Sequence, residues 1–301
     1  MKTIMVTGCN GQLGIAVNKL YGARDDIRLF NTDVSDPGFT KVDSFLDITS
    51  VEEVSKLVST LRPDAIINCA AYTAVDAAEE HLDLNYKINA LGPRNLAIAA
   101  ENVGAKLVHI STDYVFPGES EHPLTEFDPV GPRSVYGRTK LAGEEFVRQF
   151  AHRFFILRTA WLYGEGKNFV RTMLGLSEKY EEITVVCDQF GSPTSTTELA
   201  KAIAALLPTE NYGLFHATCE GSTSWDDFAR EIFRIAGKKT RVTSVTTEEY
   251  NAAHPAAAPR PHYSILDNYM LRLTSDFCFA DWHDALTDYM DQMGYSCSTK
   301  E

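Results

Sequence analysis

The feature that most constrains this chain is a set of three glycines that directly follows its first apolar run. Residues 3–7 are mostly apolar, Gly8, Gly11 and Gly14 follow within one turn, and a segment of helical period begins there. Glycines at this spacing permit a tight turn, let backbone N–H groups approach a pyrophosphate and let a helix pack closely on a strand. The pattern predicts a strand–turn–helix unit that binds a dinucleotide, with a turn built only for packing as the alternative. The turn residues assigned to the cofactor are Gly8, Asn10, Gly11, Gln12, Leu13 and Gly14.

The rest of the first half repeats this alternation of short apolar runs and longer helical segments. Predicted strands cover residues 3–7, 27–31, 64–69, 106–110 and 153–159, and predicted helices cover residues 11–21, 51–61, 85–103 and 134–150. Strands that alternate with helices form βαβ units with parallel strands and right-handed crossovers. Adjacent apolar residues such as Ile66 and Ile67 are typical of strands covered on both faces. The predicted fold class is therefore α/β, a Rossmann-type doubly wound parallel sheet with a smaller C-terminal substrate-binding lobe.

The alternation is looser after about residue 164. Helices are predicted at residues 168–180, 196–207, 224–236 and 282–293, and short strands at 183–186, 213–217 and 241–245. A loop rich in Pro and Ala at residues 254–262 carries Arg260, and it is either a tolerated surface loop or a segment that closes over a ligand. We predict a dinucleotide-binding domain at residues 1–165. Residues 166–301 are predicted to form mainly the substrate-binding lobe, interleaved with segments that return to the Rossmann core.

Charge and cysteine content narrow the class of partner and the compartment. The 301 residues include 28 Lys and Arg against 41 Asp and Glu, a net charge of −13. Nucleic acid and anionic membranes require a basic face, so neither is expected as a partner. The six cysteines include no Cys-x-x-Cys pair, which favours reduced thiols. No apolar stretch approaches the about 20 residues of a spanning helix or resembles a signal peptide, so we expect a cytoplasmic protein.

Residues near later strand ends extend the predicted dinucleotide site. An acid about 20 residues after the glycine turn usually binds the ribose 2′-hydroxyl, and Asp33 fits that position, with a solvated turn residue as the alternative. No Lys or Arg follows before Lys41, which favours NADH over NADPH. Asp47 and Ile48 are assigned to the adenine side. The segment after the third strand leaves room either for a cofactor or for close helix packing, and its assigned residues are Ala70, Ala71, Tyr72 and Thr73.

A tyrosine and a lysine four residues apart are the candidate reactive groups. Tyr136 and Lys140 share one face of the predicted helix at residues 134–150. A nearby ammonium favours the phenolate and lowers the pKa of tyrosine from about 10, which makes Tyr136 a usable general acid or base. Ser111 or Thr112 is placed to hydrogen-bond a carbonyl oxygen on which negative charge develops. An exposed Tyr/Lys pair without chemistry is the alternative. Tyr163 has a lysine at the same spacing, but its glycine-broken surroundings do not favour a helix.

Seven segments together resemble the short-chain dehydrogenase/reductase superfamily. Within it, the chain is most similar to the extended branch that acts on nucleotide sugars, and in particular to the dTDP-4-dehydrorhamnose reductase family. The glycine turn and the Tyr/Lys pair occur across the superfamily, whereas the runs Ser-Thr-Asp-Tyr-Val-Phe and Asp-Gln-Phe-Gly-Ser-Pro-Thr are much more specific. The resembling segments span almost the whole chain and lie at residues 6–14, 68–76, 111–118, 136–144, 158–164, 188–194 and 260–267.

The resemblance implies an activity and a set of roles. The activity is reduction of the C4 ketone of dTDP-4-dehydro-6-deoxy-L-mannose to dTDP-L-rhamnose, a cell-surface polysaccharide precursor, with NADPH or NADH as cofactor. Tyr136 would donate a proton to the C4 oxygen, and Lys140 would tune Tyr136 and bind the nicotinamide ribose. Thr112, Asp113 and Trp161 would contact the sugar. The implied cofactor contacts are Gly11, Gln12, Leu13, Asp47, Ala71, Tyr72 and Thr73.

Several alternatives stay open beside this expectation. Arg260 is a candidate lid contact to the diphosphate or a solvated loop arginine, and Trp161 is a sugar contact or a packed aromatic residue. Some members of the family bind Mg²⁺ at a dimer contact through an acid in the first helix, where this chain has Ala16. We therefore expect no metal and a monomer or weak homodimer. Other functions considered are another nucleotide-sugar reductase or epimerase, and a non-catalytic dinucleotide-binding subunit that resembles the β subunit of methionine adenosyltransferase.

Overall fold

A computed structural model describes residues 1–254 and 257–295. Its strands are β1 (Lys2–Thr7), β2 (Ile27–Asp33), β3 (Ser44–Phe45), β4 (Ala65–Asn68), β5 (Lys106–Thr112), β6 (Phe154–Thr159), β7 (Leu162–Tyr163), β8 (Glu182–Val186), β9 (Phe190–Gly191), β10 (Thr194–Ser195), β11 (Gly213–His216), β12 (Thr223–Ser224) and β13 (Arg241–Val245). Its α-helices are α1 (Gln12–Tyr21), α2 (Val51–Leu61), α3 (Val75–Glu80), α4 (Leu82–Tyr86), α5 (Gly92–Val103), α6 (Val135–Phe150), α7 (Phe169–Ser177), α8 (Thr196–Leu206), α9 (Trp225–Ile235), α10 (Thr247–Ala253), α11 (Tyr269–Thr274) and α12 (Trp282–Gln292).

Seven parallel strands form the central sheet, in the order β11-β6-β5-β4-β1-β2-β3. Chain order reverses between β1 and β4, because β1 pairs with β2 on one side and with β4 on the other. Open α/β sheets bind ligands outside the carboxyl ends of their strands at such a reversal point. The doubly wound parallel sheet predicted from the sequence is confirmed, and its reversal point marks the region of the candidate site.

Both faces of the sheet are covered by apolar side chains. Met5 and Ile66 belong to one core cluster, whereas their neighbours Val6 and Ile67 belong to the other. Successive residues of a strand point to opposite faces, so these neighbours fill the two layers on either side of the sheet. The two-sided burial predicted from adjacent apolar residues is confirmed.

One predicted helix differs from the observed structure. The segment at residues 85–103 is not a single α-helix, because α4 passes through a π-helical turn at Lys87–Leu91 before α5 begins. Within that turn the Asn89 side chain accepts the N–H of Tyr72 at 2.8 Å and donates to its C=O at 3.0 Å. A π-helical turn changes the direction of side chains within a helix, and here it accompanies the contact with the strand-end segment.

The second half of the chain contributes small sheets and one strand of the main sheet. β13 pairs with β8 in parallel, β10 pairs with β7 in parallel, and β12 pairs with β9 antiparallel. β11 instead joins the central sheet beside β6. Among residues 1–254 and 257–295, no helix is both long and apolar enough to cross a membrane. The cysteines in these ranges are free thiols, and Cys297 lies outside the described residues.

Candidate active site

The glycine turn packs so tightly that side chains are excluded from it. Gly8 has a φ of +63°, and a Cβ added there would lie 2.7 Å from the backbone nitrogen of Ala70. A Cβ on Gly14 would lie 2.3 Å from the carbonyl oxygen of Gly8. Both distances are far below van der Waals contact, so glycine is required at each position. The turn therefore lies directly against the segment that follows β4.

The first turn of α1 has backbone N–H groups without a side-chain cap. Helices α2, α6, α8 and α9 each begin with a serine side chain that accepts an N–H of the first turn. At α1 the capping position is Gly11, which has no side chain to do so, and Oε1 of Gln12 is buried without a hydrogen-bond partner. Uncapped N–H groups at a helix N-terminus bind phosphate well. The residues present fit the pyrophosphate of a dinucleotide.

Asp33 and Asn10 connect the glycine turn to the end of β2. The Asp33 carboxylate accepts the N–H of Asn10 at 3.0 Å and that of Val34 at 2.8 Å. The Asn10 side chain in turn accepts the N–H of Thr40 at 2.7 Å. The structure thus brings Asp33 to the glycine turn, as its predicted ribose contact requires, and also shows that it holds the turn in place.

The remaining predicted cofactor residues fall into two groups. Asp47 lies just before α2, and its carboxylate accepts the N–H of Thr49 at 2.9 Å. Ile48 is buried and packs against Gly92, since a Cβ there would lie 2.5 Å from its Cδ1. The segment after β4 passes the glycine turn, and its residues Ala70, Ala71 and Tyr72 are partly buried, whereas Thr73 is exposed. Sequence analysis missed Asn89, which holds this segment, because the contact crosses 17 residues.

Tyr136 and Lys140 both reach the end of β5 from α6. Ser134 caps this helix, and its hydroxyl accepts the N–H of Gly137 at 3.1 Å. Lys140 Nζ donates to the carbonyl oxygen of Ile110 at 2.5 Å, and the Tyr136 hydroxyl hydrogen-bonds Thr112. The structure therefore brings Tyr136, Lys140 and Thr112 together. Their position at the carboxyl end of β5 lies two strands from the glycine turn.

Two further side chains complete the surroundings of Tyr136. Thr112 Oγ1 donates to the buried carboxylate of Asp113 at 2.8 Å. The ring of Tyr114 meets the ring of Tyr136 edge-on, with centroids 5.4 Å apart. Tyr114 was not assigned a role from the sequence, and its place beside Tyr136 follows from the helical turn Asp113–Val115.

The pKa of Tyr136 is shifted in the direction opposite to the one predicted from the sequence. Burial, followed by the negative charge of Asp113, raises the pKa of Tyr136 above its ordinary value. The predicted lowering by Lys140 is wrong for the free protein, because Lys140 is directed to Ile110 and burial lowers its own pKa to about 8. Burial also raises the pKa of Asp113 to about 6. Tyr136 is therefore a neutral phenol near pH 7, the form that donates a proton.

Ser111 does not occupy its predicted position. Its hydroxyl is buried and donates to Glu144 Oε1 at 2.6 Å, in the interface between β5 and α6. Ser111 thus points into this interface, whereas Thr112, the last residue of β5, caps the helical turn Asp113–Val115 and accepts the N–H of Tyr114 at 3.2 Å. The predicted contact of Ser111 with substrate is corrected to a buried contact with Glu144.

Trp161 has a strained backbone beside the site. Its φ of +48° is in the left-handed region, which is uncommon for a large side chain and costs about 1–3 kcal/mol. Its indole stacks on Trp225 at 3.5 Å with 9° between the planes. A Cβ on Gly191 would lie 2.5 Å from the same ring. The indole is thus fixed in one orientation.

Arg260 has an acidic partner on the opposite lobe. It donates from Nη2 to Asp76 Oδ2 on α3 at 2.9 Å, and the N–H of Ala258 donates to the other carboxylate oxygen at 3.0 Å. Arg260 is therefore a half-buried, ion-paired residue, and its contact with the diphosphate stays a prediction. The missed partner, Asp76, lies far away in sequence.

A cavity of about 450 Å³ lies beside Arg260. One part of its wall is aromatic and another carries amide and hydroxyl groups. Its lining residues include Phe169, Gln189, Trp225, Thr247, Tyr250, Asn251 and Arg260. Stacking surfaces, neutral hydrogen-bonding groups and one guanidinium suit a base together with a phosphate.

Comparison with known proteins agrees with this geometry. Residues 1–295 match the family model described as RmlD substrate binding domain. The dTDP-4-dehydrorhamnose reductase of Escherichia coli is 35% identical and covers 96% of this chain and 97% of its own length. The spore coat polysaccharide biosynthesis protein SpsK of Bacillus subtilis is 37% identical and covers 99% of this chain and 100% of its own length.

Solved structures give the same result. A dTDP-4-dehydrorhamnose reductase from Clostridium acetobutylicum has 49% identity and a TM-score of 0.90, and covers 97% of this chain and 99% of its own. The Bacillus anthracis dTDP-4-dehydrorhamnose reductase, solved in complex with NADP, has 42% identity, a TM-score of 0.89 and the same coverage. Both matches extend over nearly the full length of each chain. This chain therefore belongs to the dTDP-4-dehydrorhamnose reductase family.

Proposed function

We propose that this protein is an NAD(P)H-dependent oxidoreductase that reduces the C4 ketone of dTDP-4-dehydro-6-deoxy-L-mannose to give dTDP-L-rhamnose. The observation that carries the proposal is the placement of Tyr136, Lys140 and Thr112 at one end of the sheet that also presents the glycine turn. A bound nicotinamide cofactor supplies the hydride for the carbonyl carbon. The site residues of the chain supply the proton and orient the ketone.

Tyr136 is the proton donor in this proposal. As hydride reaches C4, negative charge grows on the carbonyl oxygen, and a neutral phenol within hydrogen-bonding distance stabilises it. The O–H bond of Tyr136 breaks as the O–H bond of the product forms. The raised pKa of Tyr136 keeps its proton in place until then. Thr112, bonded to both Tyr136 and Asp113, orients the phenol and the ketone oxygen.

In this proposal Lys140 binds the ribose of the cofactor and stabilises the phenolate of Tyr136. Its ammonium is buried at the end of β5, where it would hold the ribose next to the nicotinamide. A positive charge there hydrogen-bonds ribose hydroxyls and stabilises the phenolate that Tyr136 becomes after proton transfer. The pKa of Lys140, lowered to about 8 by burial, leaves it charged at neutral pH.

The cavity beside Arg260 is the proposed site of the dTDP group. Its aromatic wall suits the thymine base, and Arg260 suits the diphosphate. In this proposal the sugar extends from the diphosphate towards Tyr136, whose ring contacts that of Tyr114. The lining residues named above lie between residues 169 and 260, within the range predicted for the substrate-binding lobe. A cytoplasmic location, a monomer or weak homodimer, and the preference for NADH stay predictions.

A cofactor oxidation assay tests the proposal. Purified protein is mixed with NADH or NADPH and dTDP-4-dehydro-6-deoxy-L-mannose, and the loss of absorbance of the reduced cofactor is followed together with the dTDP-L-rhamnose formed. We expect one cofactor oxidised per product. An epimerase would convert sugar without net oxidation, and a regulatory subunit would bind cofactor and leave both compounds unchanged. Either result would overturn the proposal.

A further inference from the structure

A buried carboxylate lies one helical turn beyond Lys140. Glu144 is 1% exposed, and Tyr136, Lys140 and Glu144 follow each other at four-residue spacing on one face of α6. Its Oε1 accepts the Ser111 hydroxyl at 2.6 Å and Arg158 Nε at 2.9 Å, and its Oε2 accepts Arg158 Nη2 at 2.7 Å. This bidentate pair is almost fully removed from solvent.

The carboxylate joins the helix to two adjacent strands at the reaction site. Ser111 on β5 and Arg158 on β6 are register partners, so Glu144 binds both strands at one level. The residue before Ser111 is Ile110, whose carbonyl accepts Lys140 Nζ. The residue after it is Thr112, which hydrogen-bonds Tyr136. A shift of α6 against β5 would therefore separate both reactive groups from their partners.

The free energy needed to bury this ion pair indicates that the pair does more than stabilise the fold. Buried ion pairs gain little over apolar residues of similar shape, because two charges must be desolvated. Glu144 nevertheless places a negative charge four residues from the buried Lys140. Burial lowers the pKa of Lys140 and the charge of Glu144 opposes that effect. Other titratable or charged groups on the surrounding elements are His109 on β5, Asp113 after it, Arg158 on β6, and Tyr136 and Arg148 on α6, the last with Nη2 4.0 Å from Glu144 Oε2.

We propose that Glu144 is a positioning residue for the reduction: with Arg158 it fixes α6 against β5 and so holds Lys140 at its place beside the end of β5. The negative charge of Glu144 also favours the charged form of Lys140. This inference rests on the proposed function for the roles of Tyr136 and Lys140. It predicts that loss of the Glu144 charge changes the pH range in which the protein binds cofactor and turns over. A merely structural contact would change stability and leave that range unaltered.

The test compares Glu144→Gln with Glu145→Gln. Glu145 is exposed on the same helix, so its substitution removes the same charge without the buried contacts. The dissociation constant of NADH and the rate of cofactor oxidation are measured between pH 6 and pH 9. In the parent, we expect affinity and rate to fall as pH rises through about 8. In Glu144→Gln the fall moves to lower pH by about one unit, and in Glu145→Gln it does not move.

A second variant is used in case Glu144→Gln does not fold. Glu144→Gln leaves the Arg158 charge buried without its partner, so the double variant Glu144→Gln/Arg158→Met removes both charges and keeps the apolar volume. It should fold, and its NADH affinity should fall at a pH between those of Glu144→Gln and the parent, because removal of the Arg158 charge partly offsets the loss of the Glu144 charge. Equal midpoints in the parent and in a folded Glu144 variant would overturn the inference. The measurement of NADH affinity requires no sugar substrate. A protein that binds NADH but does not oxidise it would therefore refute the proposed function, whereas the pH dependence of NADH binding would still test the role of Glu144.

Discussion

Arg260 on the C-terminal lobe and Asp76 on α3 form an ion pair of 2.9 Å across the candidate site. The guanidinium is partly buried and also lines the cavity proposed for the dTDP group. A diphosphate that enters this cavity offers Arg260 a second, more strongly charged partner. The pair thus connects the loop that carries Arg260 with helix α3, which follows β4.

Substitution of Arg260 should weaken substrate binding selectively. We expect Arg260→Ala to raise the KM for the dTDP sugar by about 10- to 100-fold, since a charge-assisted hydrogen bond contributes about 1.5–3 kcal/mol. The dissociation constant of NADH should stay unchanged. Arg24→Ala, which removes an exposed arginine bound to Asp26, is the control. An unchanged KM in Arg260→Ala would show that the arginine serves only the contact with Asp76.

Removal of the phenol hydroxyl should abolish turnover and spare the cofactor. Tyr136→Phe is expected to lower kcat by about 10²- to 10⁴-fold, the range for loss of general acid catalysis. Stopped-flow oxidation of NADH measures the rate, and fluorescence titration measures cofactor affinity. Tyr180→Phe, at an exposed tyrosine, should behave as the parent. A near-parent rate in Tyr136→Phe would identify a different proton donor.

A single methyl group in the glycine turn should block cofactor binding. Gly14→Ala places a Cβ 2.3 Å from the carbonyl oxygen of Gly8, so the turn must open and its N–H groups lose their arrangement. We expect NADH affinity to fall by at least about tenfold, or about 1.4 kcal/mol. Gly175→Ala in α7 meets no atom within 4 Å and should gain helix stability of up to about 1 kcal/mol. Retained affinity in Gly14→Ala would contradict the packing described.

A buried histidine should make the protein sensitive to acid. His216 on β11 lies with Nδ1 3.0 Å from the carbonyl oxygen of Leu124, and burial lowers its pKa to about 3. The unfolded chain, with a pKa of about 6.5 at this residue, binds a proton between these values that the folded protein does not. As the pH is lowered below about 6.5, the free energy of unfolding should therefore decrease. This group contributes up to about 1.4 kcal/mol per pH unit.

Urea unfolding at pH 7, 6 and 5 measures this effect. His216→Asn keeps a donor near Leu124 and removes the titration, so its unfolding free energy should fall less steeply with acid than that of the parent. Asp113, whose raised pKa of about 6 has the opposite effect on stability, is present in both proteins. His152→Asn, at an exposed histidine, should keep the parent slope. The same slope in His216→Asn would show that this histidine is not responsible.

Local patterns predicted the parallel sheet and the groups of the site, because both depend on period and on neighbours in sequence. Gly8 follows β1 directly, and Tyr136 and Lys140 share a helix face. Contacts between distant segments were not predicted, because the periodicity of a sequence carries no information about them. Examples are the contacts of Arg260 with Asp76 and of Asn89 with Tyr72. The pKa of Tyr136 was predicted in the wrong direction because spacing on a helix does not show how deeply a side chain is buried.

The edge strand β11 limits how this protein can be divided. It comes from residue 213 and later, yet it completes the same sheet that starts at the N-terminus. A fragment that stopped at residue 165 would leave the open edge of β6 without its neighbour and ready to pair with other chains. The halves of this chain are accordingly not interchangeable modules, and exchange of substrate specificity with a relative would have to carry the edge strand along.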